Sequence, residues 1–260
     1  MERTQQTEHT EQNMEQQLTI EGRNPVREAF RAGRTIDRLY VQEGLKDGLI
    51  STLVSKARKT DTVVTFVSKT RLDEMSETGK HQGVIAQCAA YSYAEVDDLL
   101  ARAEQKGEEP FLFLLDDIED PHNLGAIIRS ANLMGAHGVI IPKRRAVGLT
   151  AVVSKASAGA IQYTPVARVA NLSQTIEQLK QKGMWFVCAD MDGELMYDLN
   201  LTGPIGVVIG NEGSGVSRLV KEKCDFTARI PMKGDIDSLN ASVAAGVLGY
   251  EIVRQRMKRG

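Results

Sequence analysis

Residues 111–134 read FLFLLDDIEDPHNLGAIIRSANLM. Phe111–Leu115 is an unbroken apolar run, the mark of a strand buried on both faces. Pro121 punctuates a turn, Asn123 can cap, and Leu124–Met134 takes up a helical rhythm with Leu124, Ile127, Ile128 and Ala131 on one face. A buried strand running into an amphipathic helix is the repeating unit of a parallel α/β sheet. The alternation continues downstream. Strands are expected at Val139–Ile141, Trp185–Ala189 and Ile205–Ile209, and helices at Leu149–Ala158, Leu172–Gln181, Val216–Glu222 and Asn240–Met257. The fold class is therefore α/β with a mostly parallel sheet over 110–260.

Upstream, a smaller α/β domain is expected over 17–92. Its strands are Ile36–Gln42, Thr62–Val67 and Gly83–Ala89, and a helix opens at Asn24-Pro25 and runs to Ala32. Arg23, Arg27 and Arg31 are spaced by four, so they share a face that is either a solvated surface or an RNA contact. Residues 93–109 are acidic, hold a short amphipathic turn or two, and read as a linker. Residues 1–16 are polar and without periodicity, and read as a disordered tail.

The 260 residues are 42% hydrophobic and 25% charged, as in an ordinary globular protein. No run approaches the length of a membrane span, and the polar start is unlike a signal peptide, so the cytoplasm is the expected compartment. Cys88, Cys188 and Cys224 are far apart, and the four histidines form no ligand pair, so neither a disulfide framework nor a metal site is expected. A net charge of −2 argues against nucleic acid until its distribution is read. The acid excess sits in 1–16 and 93–109, whereas 17–92 and 110–260 each carry a small surplus of Lys and Arg, which permits a local phosphate-binding patch.

Three segments stand at expected strand ends, where α/β proteins keep their sites. The first, Asp116–Asn132, holds Asn123 and, six residues on, Arg129, a cation among apolar neighbours that needs an anionic partner if partly buried. The second, Val207–Ser217, is a buried strand running into Gly210-Asn211-Glu212-Gly213-Ser214-Gly215. Its glycines serve either a tight turn or a close approach to a ligand. Their order is neither the dinucleotide G-x-G-x-x-G nor a P-loop, which speaks against a nucleotide-dependent oxidoreductase. In the third, Arg229–Glu251, a short strand ends at Pro231 and a long helix starts near Ser238-Leu239-Asn240, where free N–H groups can hold a carboxylate or a polar ligand edge. Ala241, Ala244, Ala245, Gly246 and Gly249 allow close packing of that helix, within the chain or across a dimer.

Together these segments resemble the SpoU family of RNA ribose methyltransferases, within the SPOUT superfamily. Asn123 and Arg129 match the first family motif, Gly210, Glu212 and Gly215 the second, and Ile230-Pro231-Met232 with Ser238-Leu239-Asn240-Ala241-Ser242 the third. Glu21–Phe30 (EGRNPVREAF) and His81–Ala86 (HQGVIA) resemble the family's L30-like substrate-binding domain, so about 240 of the 260 residues are covered. Within the family the chain is most similar to enzymes that methylate a guanosine 2′-hydroxyl in 23S ribosomal RNA.

The resemblance implies a deep trefoil knot in the C-terminal domain, S-adenosylmethionine as cofactor, RNA as substrate and an active site at a homodimer interface. It implies Arg129 as the central catalytic residue, as a base or as a stabiliser of the developing alkoxide, with Asn123, Glu212, Ser238 and Asn240 positioning the reactants. Main-chain groups near Gly210, Ile230 and Leu239, with Met232 packing nearby, are implied for the cofactor. The Lys143-Arg144-Arg145 run after the Val139–Ile141 strand is either a phosphate grip or a solubilising loop. Two further readings stand beside this one: a transfer RNA substrate, and an RNA-binding ribosome-assembly protein without catalysis.

Overall fold

The computed structural model describes residues 19–60, 62–235 and 238–259. The polar stretch 1–16 lies outside the described residues. The chain divides into two units. One comprises residues up to Ser92 with Gly148–Ala151, the other Tyr93–Val147 with Val152–Gly260.

In the first unit the order is β1 (Thr19–Glu21), α1 (Arg23–Arg31), β2 (Ile36–Gln42), α2 (Gly48–Lys59), β3 (Val63–Val67), α3 (Lys69–Met75) and β4 (Val84–Cys88). The sheet order is β1-β4-β2-β3, with β4 antiparallel to both neighbours and β2 parallel to β3. Asp47 caps α2 and Ser68 caps α3 through their side-chain oxygens. Val26 and Phe30 of α1, Leu53 and Ala57 of α2, and Leu39, Val41, Val84 and Ala86 of the sheet form one core. The arginine ladder of α1 is spent on carboxylates. Arg23 reaches Asp47 at 3.0 Å, and Arg27 and Arg31 both meet Glu28, at 3.3 and 3.0 Å.

In the second unit the order is α4 (Val96–Lys106), β5 (Phe111–Leu115), α5 (Pro121–Leu133), β6 (Gly138–Pro142), α6 (Ala151–Ala156), a 3-10 turn (Ala160–Gln162), β7 (Val166–Val169), α7 (Leu172–Gln181), β8 (Trp185–Leu195), β9 (Ile205–Ile209), α8 (Arg218–Lys221), β10 (Phe226–Arg229) and α9 (Ala241–Arg259). Six strands pair in the order β10-β8-β9-β5-β6-β7, and every pairing is parallel. β5 and β9 are central and wholly buried, which is why they carry no polar residue.

The expected linker is a correction. Residues 96–106 form α4, with Leu99 and Ala103, one turn apart, buried. Leu99 joins the core with Leu112, Leu114 and Ile140. Burial of a leucine contributes about 1.5–3 kcal/mol, enough to hold the helix on the sheet. Gly138 makes room for it, since a Cβ there would lie 2.3 Å from Leu99 Cγ. The acidic residues that suggested a solvated linker are a helix start. Asp98 accepts from Glu95 N at 2.9 Å, and Asp97 and Asp98 sit where the helix dipole favours negative charge.

The small residues of α9 are used within the chain. Ala241 and Ala245 are buried, and a Cβ on Gly249 would fall 2.4 Å from Met134 Sδ and 2.8 Å from Phe113 Cζ. Gly246 has open space around it. No helix among the described residues is long and apolar enough to cross a membrane.

Candidate active site

The site lies in the second unit, at the ends of β5, β8 and β9. The cap of α5 is Asp120, not Asn123. Its carboxylate accepts from His122 N at 3.1 Å and Asn123 N at 3.3 Å, and Pro121 occupies the first turn, where its missing N–H costs nothing. Asn123 is thereby free to point elsewhere. Its side chain is buried and donates from Nδ2 to Glu212 Oε1 at 2.9 Å.

Asn240 completes the cluster. Its Nδ2 donates to Asn123 Oδ1 at 2.9 Å and also to Glu212 Oε1. Its Oδ1 accepts from Ser242 N and Val243 N, so Asn240 caps α9. Ala241 N also donates to Glu212 Oε1, at 3.2 Å. The carboxylate that the start of α9 was expected to attract is therefore the chain's own Glu212. One anionic oxygen collects three donors and ties the first turn of α5, the turn after β9 and the start of α9 together.

Beside the cluster is a cavity of about 400 Å³, lined among others by Gly210, Glu212, Ile230, Met232, Ser238 and Leu239. Every residue implied for the cofactor is thus on one wall set, together with Ser238. The lining also holds Asp190 and Asp192, and no Lys, Arg or His among the described residues. Sequence reading missed these two aspartates. They follow the apolar part of β8, and position at a strand end was the signal that could have found them. Burial pushes Asp190 up, but the Lys221 ammonium at 2.7 Å and the Asp192 N–H outweigh it and hold its carboxyl below the ordinary value. Asp192 makes no salt bridge among the described residues, though Lys221 also attracts it through space, and Glu212 is held by neutral donors alone.

The glycine turn serves its own backbone. A Cβ on Gly210 would lie 2.1 Å from Gly215 C and 2.2 Å from Val216 N, and Gly215 takes φ +65°. Gly215 N closes the turn on Asn211 O at 2.8 Å, and Asn211 Oδ1 accepts from Gly213 N at 2.9 Å. The turn thus carries Glu212 to its partners and Gly210 to the cavity wall.

Arg129 stands apart, and the partial burial that would have demanded an anionic partner is not met. Six residues beyond Asn123 is about 9 Å along a helix. The side chain is exposed, not half-buried among apolar neighbours, and no carboxylate of the described residues pairs with it. Arg129 is absent from the cavity lining.

These features define an α/β enzyme with a ligand cavity at the strand ends, acidic where a nucleotide phosphate would need cations. Residues 110–250 match the SpoU rRNA Methylase family, and residues 19–94 match the RNA 2′-O ribose methyltransferase substrate-binding domain. The chain belongs to the SpoU family of methyltransferases. It is 50% identical over 236 residues to YacO of Bacillus subtilis (strain 168), by provisional name a TrmH family tRNA/rRNA methyltransferase, covering 90% of this chain and 94% of the relative. A protein of the same provisional name from Staphylococcus saprophyticus is 46% identical, over 93% of this chain and 97% of the relative. Among solved structures, the SpoU methyltransferase AviRb from Streptomyces viridochromogenes, in complex with the cofactor AdoMet, is similar at TM-score 0.59 and 27% identity, covering 92% of this chain and 90% of that one.

Proposed function

We propose that this enzyme transfers a methyl group from S-adenosylmethionine to the ribose 2′-hydroxyl of a guanosine in 23S ribosomal RNA, in the cytoplasm and as a homodimer whose C-terminal chain is tied in a trefoil knot. The observation that carries the chemistry is the cavity wall. Asp190, Asp192 and Glu212 line the wall, Lys221 offsets Asp190 from behind it, and no cation of the described residues lines the cavity, so the wall stays net negative, which disfavours a phosphate-bearing nucleotide and suits a cofactor that is cationic and free of phosphate. A volume of about 400 Å³ suits a small-molecule cofactor. Backbone groups of Gly210, Ile230 and Leu239 would hold it, with Met232 packed alongside. When bound it supplies an already activated sulfonium methyl group.

The chain must then align the hydroxyl and manage its proton. The Asn123–Glu212–Asn240 cluster fixes the start of α9 and, through it, Leu239 and Ser238 at the cavity. Ser238 and Asn240 orient the ribose. Arg129 is assigned to the developing alkoxide, as a permanent cation whose charge no carboxylate of the described residues neutralises. An exposed Arg129 outside its own cavity fits a site completed by a second copy. Val243, Tyr250 and Met257 recur every seven residues along α9 and are all exposed, an apolar stripe such a copy would cover. Light scattering is expected to give twice the 28.5 kDa of one chain; a mass near 28.5 kDa at micromolar concentration would remove the dimer.

The test of substrate is methyl transfer from radiolabelled S-adenosylmethionine to protein-free 23S ribosomal RNA and to bulk transfer RNA, both lacking the modification, followed by nucleoside analysis. The expected product is 2′-O-methylguanosine in ribosomal RNA. The provisional names of the relatives carry both RNA classes, which favours transfer RNA as the second reading. Label in transfer RNA alone would keep the chemistry and replace the substrate. No transfer to either would favour an RNA-binding role in ribosome assembly.

A further inference from the structure

The first unit holds a cavity of its own, open and of about 690 Å³, between the start of α1, the end of β2, α3 and the turn that precedes β4. The turn over residues 76–83 is held from several sides. Ser76 Oγ, Glu77 N and Thr78 Oγ1 all donate to the Glu21 carboxylate, at 2.6, 2.6 and 2.5 Å. Burial pushes Glu21 up, yet these donors outweigh it and keep the carboxyl ionised to lower pH than usual. His81 is buried and doubly engaged. Gly83 N donates to its Nδ1 at 3.0 Å, so Nε2 carries the proton and donates to Asp73 Oδ1 at 2.8 Å. Arg23 Nε donates to Gln82 O at 3.0 Å.

That scaffold keeps Gln82 at φ +50°, a conformation costly for a residue with a Cβ. It also keeps Gly83 at φ +82°, where a Cβ would overlap Leu45 Cδ1 at 2.2 Å. Strain so firmly held marks a surface shaped for something. Its charge says what. The carboxylate in the lining, Asp73, accepts from the neutral His81 ring and keeps its charge, and Arg23 is paired with Asp47. Lys69 and Lys80 also line the cavity, exposed, and no carboxylate of the described residues pairs with either. Two ammonium groups against the one Asp73 carboxylate leave this hollow net positive, the reverse of the acidic cofactor cavity. By contrast Arg27 and Arg31, the other basic residues of α1, are already bound to Glu28.

We propose that this hollow grips the phosphodiester backbone of the RNA substrate, with Lys69 and Lys80 as the phosphate ligands, and that the Arg27–Arg31 face does not take part. The inference rests on the RNA methyltransferase reading above. A preordered loop lowers the cost of ordering on binding. Each lysine that neutralises a phosphate releases counterions, so affinity falls with salt by about 0.7 to 0.9 in log–log slope per contact.

The experiment uses the full chain and the two RNAs named above. It compares the wild type with the double variants Lys69→Ala/Lys80→Ala, Lys69→Arg/Lys80→Arg and Arg27→Ala/Arg31→Ala. RNA affinity is followed by filter binding from low to moderate salt, and S-adenosylmethionine affinity by calorimetry. The expected result is that the lysine-to-alanine pair weakens RNA binding about tenfold at low salt and lowers the salt slope by about 1.5. The arginine replacements restore both, the Arg27/Arg31 pair changes RNA binding less than twofold, and cofactor affinity stays constant throughout. Unchanged RNA affinity and slope in the lysine-to-alanine pair, with RNA bound by the wild type, overturns this site alone. A wild-type chain that binds neither RNA and methylates neither overturns the RNA methyltransferase reading, and this site with it.

Discussion

Glu212→Ala is expected to lower methyl transfer about 100-fold while costing about 1–2 kcal/mol of stability. The asymmetry follows from where the side chain stands. Its Oε1 gathers Asn123 Nδ2, Asn240 Nδ2 and Ala241 N, three donors from two segments far apart in sequence. Glu212 is itself solvent-accessible, so water can reach the donors that lose it, and the folding penalty stays modest. Water cannot set the distance between α5 and the start of α9. Ser238, Leu239 and Asn240 then drift relative to Gly210 across the cavity, and a displacement of about 1 Å at reacting groups is enough for a 100-fold loss. Glu212→Gln separates charge from shape. A neutral amide oxygen accepts three N–H groups less well than a carboxylate oxygen, so this variant should fall between the wild type and alanine in both kcat and unfolding midpoint. Activity of Glu212→Ala within threefold of the wild type would show that the cluster is merely a brace for α9.

How much of this was written in the sequence differs from element to element. The bounds of β2, β5, β9 and α7 agree with the apolar runs and helical rhythm read from the chain, because those elements are packed on faces that only apolar residues satisfy. α2, α3 and β7 had no such reading, and α4 was taken for a linker. In α4 the signal is two apolar positions, Leu99 and Ala103, inside an acidic stretch whose charge is a first-turn preference. Local composition gives that stretch no way to announce a core that lies well downstream, in Leu112, Leu114 and Ile140.

The site divides in the same way. Asn123, Glu212 and Asn240 were legible as a set because their spacing matched family motifs, but their mutual hydrogen bonds join positions 89 and 117 residues apart. No periodicity encodes such contacts. Asn123 read as a cap because any Asn before a helix does; that Asp120 caps instead depends on Pro121 taking the first helical position. The arginine ladder of α1 was visible, but not that Asp47 from a distant loop pairs with Arg23 and that Glu28 is shared by Arg27 and Arg31, which leaves the three with one net charge. The acidity of the cofactor cavity was not visible, since Asp190, Asp192 and Glu212 come from two separate strand ends.

Arg129→Ala is expected to reduce methyl transfer by about 100- to 1,000-fold, the cost of removing one group aimed at developing negative charge. Stability should change by no more than about 0.5 kcal/mol. The second half of that statement is what makes the first informative. Arg129 projects from a helix whose inward face is made by Leu124, Ile127, Ile128 and Ala131, and the guanidinium is exposed. Nothing among the described residues is left unpaired by its removal, and a surface helix position tolerates alanine well. A protein has no folding reason to keep such an arginine there, so a large kinetic effect with an unmoved unfolding midpoint isolates chemistry. Arg129→Lys sharpens the assignment. If the charge alone stabilises the alkoxide, lysine should recover a substantial part of the rate; if the planar fork is needed to hold the ribose oxygen and a phosphate together, it should recover little. Mixing Arg129→Ala with an inactive Glu212→Ala chain tests the site's composition. When each site takes Arg129 from one copy and Glu212 from the other, a mixed dimer holds one intact site and regains activity. When both residues act within one copy, every mixed dimer has two damaged sites and stays inactive, which would return Arg129 to the cavity of its own chain.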